Sequence, residues 1–419
     1  MARIEPLCAL HYDRSVVGDL EQVCAPPYDV IDNAERERLI GRSPYNVVAV
    51  DLPRDGGGDR YAAAEQQWEA WQLQGAVTRD REAAVWAQAQ DYTGPDGRRR
   101  TRRGVLCRVR LEDYGPGAIR PHERTHPAPR EDRLRLMRAT RTDLSAIFSL
   151  YSDPHAAAQN ALGPHCKGVP WTAVTDDLGT LHRLWRVTDP RAITAVQAAV
   201  ADAELLIADG HHRYETARVY ADEVGGEGAH RWVLMCLVAL EDPGLEIFPT
   251  HRLVRGLSAD RWASLDTAIA RDFHRSPVSR DELLPPPGDG PLCVGLLDGR
   301  SGRAARLHLV DQSTADGALG DRSPAYRTLD TGVLEALLLR DALGLDERDI
   351  SHLNGFGYAR DLAQATALVD GGEYDAAFLM RPTPVAQVQA IAAAGESMPP
   401  KSTFFFPKLL TGMVFNALW

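Results

Sequence analysis

The sequence predicts an α+β protein built on a mixed β-sheet. Stretches with the spacing of helices and short apolar stretches of strand length follow one another without the strict βαβ order of a doubly wound fold. The chain has 419 residues, whereas one hydrophobic core seldom serves more than about 250 to 300. We therefore expect two domains, residues 1–250 and a C-terminal α/β domain of residues 251–419.

Local patterns predict the individual elements. Apolar or alternating runs bounded by Gly, Pro and polar residues predict strands at residues 45–52, 84–91, 105–112, 146–151, 181–187, 205–208, 232–240 and 374–380. Amphipathic spacing predicts helices at residues 61–74, 192–202, 214–220, 333–343 and 363–369, and a charged helix that opens at 134–137. The Gly-Pro-Asp-Gly turn at 94–97 predicts a hairpin of the strands on either side.

Composition and charge narrow the function. With 44% hydrophobic and 25% charged residues the chain is typical of a globular protein, and no apolar run reaches the roughly 18 residues of a membrane span. The net charge of −11 disfavours nucleic acid as a partner, and the basic run 98–103 is interpreted as the solvated arm of a hairpin rather than a phosphate patch. The first residues lack the pattern of a secretory signal, which favours the cytoplasm. Scattered cysteines without paired spacing indicate reduced thiols.

The strongest candidate site is the segment 207–213, Ile-Ala-Asp-Gly-His-His-Arg. A short apolar strand ends here, Gly210 permits a sharp turn, and a helix follows. The N–H groups of a helix N-terminus favour phosphate, Arg213 adds a bidentate clamp, and His211 or His212 adds a further hydrogen bond. Asp209 either caps the helix or holds a magnesium ion through water.

Two other interpretations of this segment stay open. In the first, Asp209 only caps the helix and the histidines bond loop carbonyls. In the second, His122, His126, His211 and His212 converge with Glu123 on zinc, although no spacing fixes four ligands.

The segment 120–133 is a second candidate, because proton-transferring and phosphate-clamping groups are crowded between prolines that we expect to prevent a helix. Glu123 is the candidate general base, with His122 beside it as a second catalytic residue. Arg124, Thr125 and Arg130 are candidate substrate contacts, since the two arginines would neutralise transferred charge. The alternative is a surface loop whose charges pair with each other.

A third candidate lies near the C-terminus, at residues 398–408. Lys401, Ser402 and Thr403 stand beside three phenylalanines and would reach an anionic ligand. A terminal strand that locks the fold is the alternative.

Five motifs in order, at residues 25–31, 44–47, 122–125, 208–216 and 400–408, resemble a widespread prokaryotic family known as domain of unknown function 1015. The resemblance spans nearly the whole chain. The Asp-Gly-His-His-Arg motif is also similar to the phosphate-binding motif of the ParB and sulfiredoxin superfamily, which includes nucleotide-dependent kinases of free serine; this likeness covers about a quarter of the chain.

The superfamily resemblance implies a ParB/sulfiredoxin-like mixed-sheet core. It implies that Gly210, His211, His212 and Arg213 contact nucleotide phosphates, and that Asp209 lies near the metal or the acceptor hydroxyl. The cluster around Glu123 is outside the shared motif, so its assignment as base comes from chemistry alone.

These observations favour a phosphotransferase that uses ATP or ADP with Mg²⁺ and phosphorylates a small hydroxyl-bearing metabolite, with free serine as the leading acceptor. Arg124, Arg130 or Lys401 would hold the acceptor's carboxylate. A nucleotide-switched binding protein and a metal-dependent phosphoester hydrolase are the alternatives. A homodimer is a possible assembly, and we expect no membrane partner.

Overall fold

The computed structural model describes residues 2–54, 57–94, 97–116, 118–123, 127–288 and 290–419. The chain forms two compact units. The first comprises residues 1–121, 125–245 and 407–419, and the second comprises residues 122–124 and 246–406. The change of unit at 245–246 lies close to the expected boundary at 250, but the last residues return to the first unit. No helix within the described ranges is long and apolar enough to cross a membrane.

A large mixed sheet forms the centre of the first unit. Its strands and two further short pairs are β1 Ile4–Glu5, β2 Leu10–Tyr12, β3 Val77–Arg79, β4 Val85–Thr93, β5 Arg99–Arg110, β6 Ile119–Arg120, β7 Thr142–Asp143, β8 Ile147–Tyr151, β9 Thr172–Thr175, β10 Leu181–Val187, β11 Leu205–Asp209 and β12 Trp232–Ala239. The order across the sheet is β6, β11, β8, β12, β5, β4, β10 and β9, with β1 also on β5. β11 runs parallel to β6 and β12 parallel to β8, while the other neighbours are antiparallel.

The helices of this unit surround that sheet. They are α1 Arg14–Val17, α2 Asn33–Ile40, α3 Val48–Asp51, α4 Arg60–Leu73, α5 Pro127–Thr140, α6 Ala157–Leu162, α7 Pro190–Val200 and α8 His211–Val224, with 3-10 turns at Leu20–Gln22, Tyr28–Val30, Gly163–Cys166 and Ala229–Arg231. α5 packs against α4 and α8. The buried face of the sheet supplies the core, for example Val105, Ile147 and Ile207.

The second unit contains an antiparallel sheet. Its strands are β13 Glu246–Phe248, β14 His251–Val254, β15 Phe273–Pro277, β16 Cys293–Asp298, β17 Arg303–Leu309, β18 Phe356–Ala359, β19 Ala376–Leu379 and β20 Phe404–Phe406. The order is β15, β17, β16, β19, β14 and β18, and β13 pairs separately with β20. The helices are α9 Ala259–Asp272, α10 Gln312–Ala318, α11 Pro324–Arg327, α12 Asp330–Leu334, α13 Glu347–His352, α14 Leu362–Asp370 and α15 Val385–Ala393, with a π-helix at Glu335–Arg340 and a 3-10 turn at Arg280–Glu282.

The structure confirms the α+β class and the mixed sheet, and it corrects two local predictions. The strand predicted at residues 45–52 is a turn followed by α3, because the Asn46 side chain accepts from Val48 N–H and donates to Gln22 O. The segment 120–133, predicted as a loop, is helical from Pro127 onward. Prolines in a first helical turn lose no hydrogen bond that the helix would otherwise make.

A buried carboxyl group joins the end of the chain to the first unit. Oδ2 of Asp143, in β7, accepts from Asn416 Nδ2 at 2.9 Å and from Leu234 N–H at 3.0 Å. The last strand, Asn416–Ala417, pairs with β7. Burial raises the pKa of Asp143 to about 6, against the two hydrogen bonds, which lower it. Ionisation of Asp143 at neutral pH therefore weakens the fold.

The substitution Asp143→Asn tests this conclusion. Above the pKa of Asp143 in the folded protein, wild type carries a buried negative charge that destabilises the fold, whereas the amide is neutral. The variant therefore gains up to about 3 kcal/mol in free energy of unfolding at pH 7. The gain shrinks as the pH falls from about 6 towards 4, where both side chains are neutral. Urea denaturation at a series of pH values measures it, with the exposed Asp202→Asn as control. A gain independent of pH would contradict the assignment.

Candidate functional site

The predicted turn after β11 forms, and a β-bulge precedes it. The register of β11 against β8 shifts between Ile207 and Asp209, which places an extra residue in β11. Gly210 follows with a φ of 98°, and α8 begins at His211. No side-chain hydrogen bond caps Gly210 within the described residues. One interpretation of the sequence expected Asp209 to cap the helix, and it does not.

The Arg213 side chain folds back over this turn. Its Nη2 donates to Asp209 Oδ2 at 2.6 Å, and its Nη1 donates to the carbonyl oxygen of Ala146. A Cβ atom on residue 210 would lie 2.9 Å from Arg213 Nε, so glycine is required both for the positive φ and for this close approach.

The other oxygen of Asp209 bonds a lysine that the sequence analysis did not single out. Lys408 Nζ lies 2.5 Å from Asp209 Oδ1. The side chains of Asp209, Arg213 and Lys408 are 15%, 12% and 19% exposed. Burial by itself raises the pKa of Asp209, but Lys408 and Arg213 outweigh it and hold that pKa well below its usual range. Asp209 is therefore ionised between two cations, and the three side chains carry a net positive charge.

A small cavity of about 40 Å³ adjoins Arg213 inside the first unit. Its polar lining includes Asp51, Arg133, Asp143 and Thr216. Arg133 Nη1 donates to Asp51 Oδ1 at 3.0 Å, and its guanidinium lies 4.3 Å from the centre of the Tyr28 ring. The cavity wall thus fixes the motif at residues 25–31 close behind Arg213. Such a volume holds about three water molecules.

His122 and Glu123 belong to the second unit. The His122 ring is fully buried, and its Nε2 lies 2.8 Å from Thr403 Oγ1 and 3.9 Å from Glu123 Oε1. The His122 carbonyl accepts from Met398 N–H. The Glu123 side chain is 30% exposed. His122 is thus held in place, whereas Glu123 is accessible to a ligand.

The predicted contact Lys401 lies on a turn of the same unit that several hydrogen bonds hold. The Pro400 carbonyl accepts from Arg252 Nη2 at 3.2 Å and from Tyr358 Oη at 3.4 Å. Ser402 is buried, donates to the Pro399 carbonyl at 2.7 Å and lies 2.8 Å from Thr331 Oγ1. Lys401 is exposed at the tip with a φ of 56°, a conformation that costs a non-glycine residue about 1 kcal/mol or more.

The remaining predicted residues are placed as follows. His211 is buried and His212 half-buried at the start of α8. Arg130 is exposed on α5, and its carbonyl accepts from Thr216 Oγ1 at 3.4 Å. Arg124 and Thr125 lie outside the described residues, as does His126 of the zinc hypothesis. Within the described ranges no group of three or more His, Cys, Asp and Glu side chains is arranged to hold a metal ion.

Besides Lys408, the structure adds two charged residues that sequence reasoning missed. Arg102 is 1% exposed and lies in the basic run that was interpreted as a solvated arm. Alternation along a strand was the available signal, because every second residue of such a run points inward. Glu335 follows α12, and burial raises its pKa to about 7, against the lowering effect of Arg252. A single charge in an apolar helical run was its only signal.

Comparison with known proteins gives a family match and weak structural likenesses. The family described as Protein of unknown function (DUF1015) matches residues 4–331. No curated protein matches the chain. Among solved structures, the chain is similar to a conserved hypothetical protein from Pyrococcus furiosus, with 13% identity over 73% of this chain and 92% of that one and a TM-score of 0.36.

Two further structures are similar at the same level. Free serine kinase in complex with AMP is 12% identical over 72% of this chain and 86% of its own, with a TM-score of 0.35. SbnI with a C-terminal truncation, from Staphylococcus aureus, is 12% identical over 73% of this chain and 85% of its own, with a TM-score of 0.37. At these TM-scores the likenesses carry no argument about function.

The geometry of the turn gives a first test, Gly210→Ala. The added methyl group strains the positive φ and displaces the Arg213 guanidinium, so we expect inorganic pyrophosphate to bind about 10- to 100-fold more weakly, the value of one or two charge-assisted hydrogen bonds. Isothermal titration calorimetry measures the affinity.

Gly225→Ala is the matched control for this test. Gly225 ends the same helix with a φ of 71° and has open space around its missing Cβ. This variant suffers the backbone strain without the clash, so its affinity for pyrophosphate is expected to equal that of wild type. Equal losses in both variants would show that strain in α8, and not Arg213, governs binding.

Proposed function

Because this chain belongs to the family described as Protein of unknown function (DUF1015), whose name assigns no reaction, we propose its activity from its residues. The protein is a phosphotransferase that moves a phosphoryl group from ATP or ADP to the hydroxyl group of a small metabolite. The observation that carries this proposal is the cationic turn in which Arg213 and Lys408 flank Asp209 at the start of α8.

Several properties of this turn suit a nucleotide phosphate. Two cations against one carboxylate attract an anion, and the positive end of α8 adds to the attraction. The exposed fractions of Arg213 and Lys408 leave both within reach of a ligand. Gly210 lets the Arg213 guanidinium lie against the main chain of the turn. We therefore assign Gly210, His211, His212 and Arg213 to the phosphates, as in a ParB/sulfiredoxin-like grip.

Glu123 is the proposed general base. In the reaction, the acceptor oxygen forms a bond to the terminal phosphorus of the nucleotide, the bridging P–O bond breaks, and the shortened nucleotide leaves. The proton of the acceptor hydroxyl passes to a carboxylate. The Glu123 carboxylate is accessible, while the buried His122 ring is bonded to Thr403 and steadies the segment. Glu123 therefore fits the role of base better than its neighbour.

A small acceptor needs its charged groups held. Lys401, presented on its strained and well-anchored turn, is a candidate for binding a carboxylate, as are Arg124, Thr125 and Arg130. Buried Ser402 already spends its hydroxyl within the turn, so we give it no contact with the ligand. Free serine is the first acceptor to test, because it combines a hydroxyl with a carboxylate.

Asp209 does not fit the role of a magnesium ligand in this arrangement. Each of its oxygens accepts from a cation, a guanidinium or an ammonium group, and both cations would repel a divalent ion placed beside them. We therefore assign Asp209 to the neutralisation of Arg213 and Lys408. Magnesium stays a prediction, and no step of the proposed reaction passes through it.

Phosphorus NMR of the full-length protein with nucleotide and a panel of hydroxyl metabolites tests the activity. Transfer that requires an acceptor supports a kinase. Glu123→Gln is expected to lower turnover at least about 100-fold with unchanged nucleotide affinity, whereas Arg213→Ala weakens that affinity about tenfold or more.

Two residues of the first unit give matched controls. Glu131→Gln on α5 and Arg218→Ala on α8 change similar side chains, which pair with Arg138 and Asp113 instead. Binding without transfer to any acceptor would overturn the kinase and favour a nucleotide switch. Release of inorganic phosphate from esters without nucleotide would favour a hydrolase.

Asp209→Asn separates a neutralising role from a metal-binding one. Removal of one negative charge beside two cations raises the affinity for ADP without added metal, by about tenfold for neighbouring charges near a protein surface. Equilibrium binding with and without Mg²⁺ measures the effect, and Asp222→Asn, an exposed position on α8, is the control. An affinity that falls only when Mg²⁺ is present would instead make Asp209 a metal ligand.

A further inference from the structure

A continuous chain of buried polar side chains crosses the large sheet of the first unit. His182 on β10 lies directly opposite Gln90 on β4, and Gln90 lies opposite Arg102 on β5. All three are at most 1% exposed. This series of hydrogen-bonded side chains begins at Asp176, whose Oδ2 lies 2.9 Å from His182 Nε2.

The chemistry of these groups fixes the direction of each hydrogen bond. A carboxylate only accepts, so His182 Nε2 carries a proton and donates to Asp176. His182 Nδ1, 3.1 Å from Gln90 Nε2, accepts from that amide. Burial lowers the pKa of His182, and the opposing effect of Asp176 does not offset it. The lowered pKa agrees with a neutral ring. The orientation of the Gln90 amide is thereby determined.

The remaining amide hydrogen and the oxygen of Gln90 form hydrogen bonds with two further partners. Its second Nε2–H donates to the main-chain oxygen of Lys408 at 3.0 Å, and its Oε1 accepts from Arg102 Nε at 3.0 Å. Arg102 Nη2 also donates to the main-chain oxygen of Pro407. The network therefore ends on two consecutive carbonyls, those of the residue that pairs with Asp209 and of the residue before it.

Arg102 contributes charge as well as hydrogen bonds. Burial lowers its pKa to about 10, so the guanidinium is still protonated at neutral pH. Its Nη1 is buried without a hydrogen-bond partner in the described part of the chain, and Asp209 is among the charges that act on it. Asp242 acts on Arg102 as well as Asp209, so with Arg213 and Lys408 there are three cations against two carboxylates. The excess of positive charge suits an anionic ligand.

A purely structural role explains this network poorly. Buried polar groups cost desolvation, and an apolar core of the same shape stabilises a sheet as well or better. The network holds the main chain of Lys408, whose ammonium group pairs with Asp209 and whose side chain is 19% exposed. Its Nζ lies 2.5 Å from Oδ1 of Asp209, in the turn that the proposed function assigns to phosphate.

From this arrangement we infer that Lys408 is a phosphate-binding residue of the turn, and that Gln90 and Arg102 are positioning residues that hold its main chain. The ligand class is a di- or triphosphate. The inference rests on the proposed function for its ligand, but it concerns binding and needs no acceptor.

Lys408→Met and Lys408→Arg give the first arm of the test, with inorganic pyrophosphate and ADP as probes in isothermal titration calorimetry at several KCl concentrations. Lys408→Met is expected to lower the affinity about 10- to 100-fold and to make its dependence on salt shallower, because one charge-assisted contact is lost. Lys408→Arg recovers most of the affinity. Unchanged affinity in Lys408→Met overturns the inference.

Gln90→Glu gives the second arm. Glutamate keeps an acceptor for Arg102 but sets a carboxylate oxygen against the Lys408 carbonyl, so the lysine shifts and affinity falls by about tenfold. In the Lys408→Met background the same exchange should cost no further affinity, as in a double-mutant cycle. A general disturbance of the turn would lower affinity in both backgrounds and would refute the positioning role.

Gln88→Glu is the matched control, because Gln88 is buried two residues earlier on β4 and bonds Cys236 instead. Thermal denaturation identifies conditions in which every variant is folded. If wild type binds neither probe, the proposed function itself fails. If wild type binds both and the Lys408 variants bind equally well, only the further inference fails.

Discussion

The ion pairs of Asp209 hold the first unit's candidate site together. The carboxylate receives Arg213 from α8 on one oxygen and Lys408 from the last segment of the chain on the other, and Arg213 also reaches the carbonyl of Ala146 before β8. A buried carboxylate is costly unless such partners satisfy it. Removal of either cation would leave Asp209 with an unpaired oxygen, so the turn and the C-terminal segment form together.

This dependence explains which parts of the site the sequence reveals. The strand, glycine and helix of residues 205–213 are adjacent in sequence, and local rules suffice to predict their turn. Lys408 is 199 residues from Asp209, and no spacing rule connects them. Arg102 stands in a run of arginines of which three are exposed and one is half-buried, so composition hides it. The residues added by the structure are those brought in by long-range pairing.

The same contrast applies to the fold. The hairpin of β4 and β5 and the helix α4 follow from local alternation and spacing. The bounds of β4 and α4 are close to the predicted ones, whereas β5 begins at Arg99, six residues before the predicted start at 105. The strand predicted at residues 45–52 fails because the buried Asn46 amide holds a turn before a short helix, accepting from Val48 N–H and donating to the Gln22 carbonyl. A run of valines does not disclose these hydrogen bonds. The helix α5 begins at Pro127, before the predicted start at 134–137, because prolines are tolerated in the first turn of a helix. In both cases the sequence pattern failed at a helix terminus, which is the least regular part of an element.

In the second unit, one buried cation influences several candidate groups. Arg252 is fully buried, its Nη1 donates to the Thr250 carbonyl at 2.5 Å, and its charge acts on Glu335, Tyr358 and Glu123. For Glu335 the attraction is insufficient to offset burial, and the pKa stays raised to about 7. Glu123 is 30% exposed, so a ligand can reach its carboxylate. A buried carboxyl group of raised pKa is therefore not by itself the base, because burial also denies it the substrate.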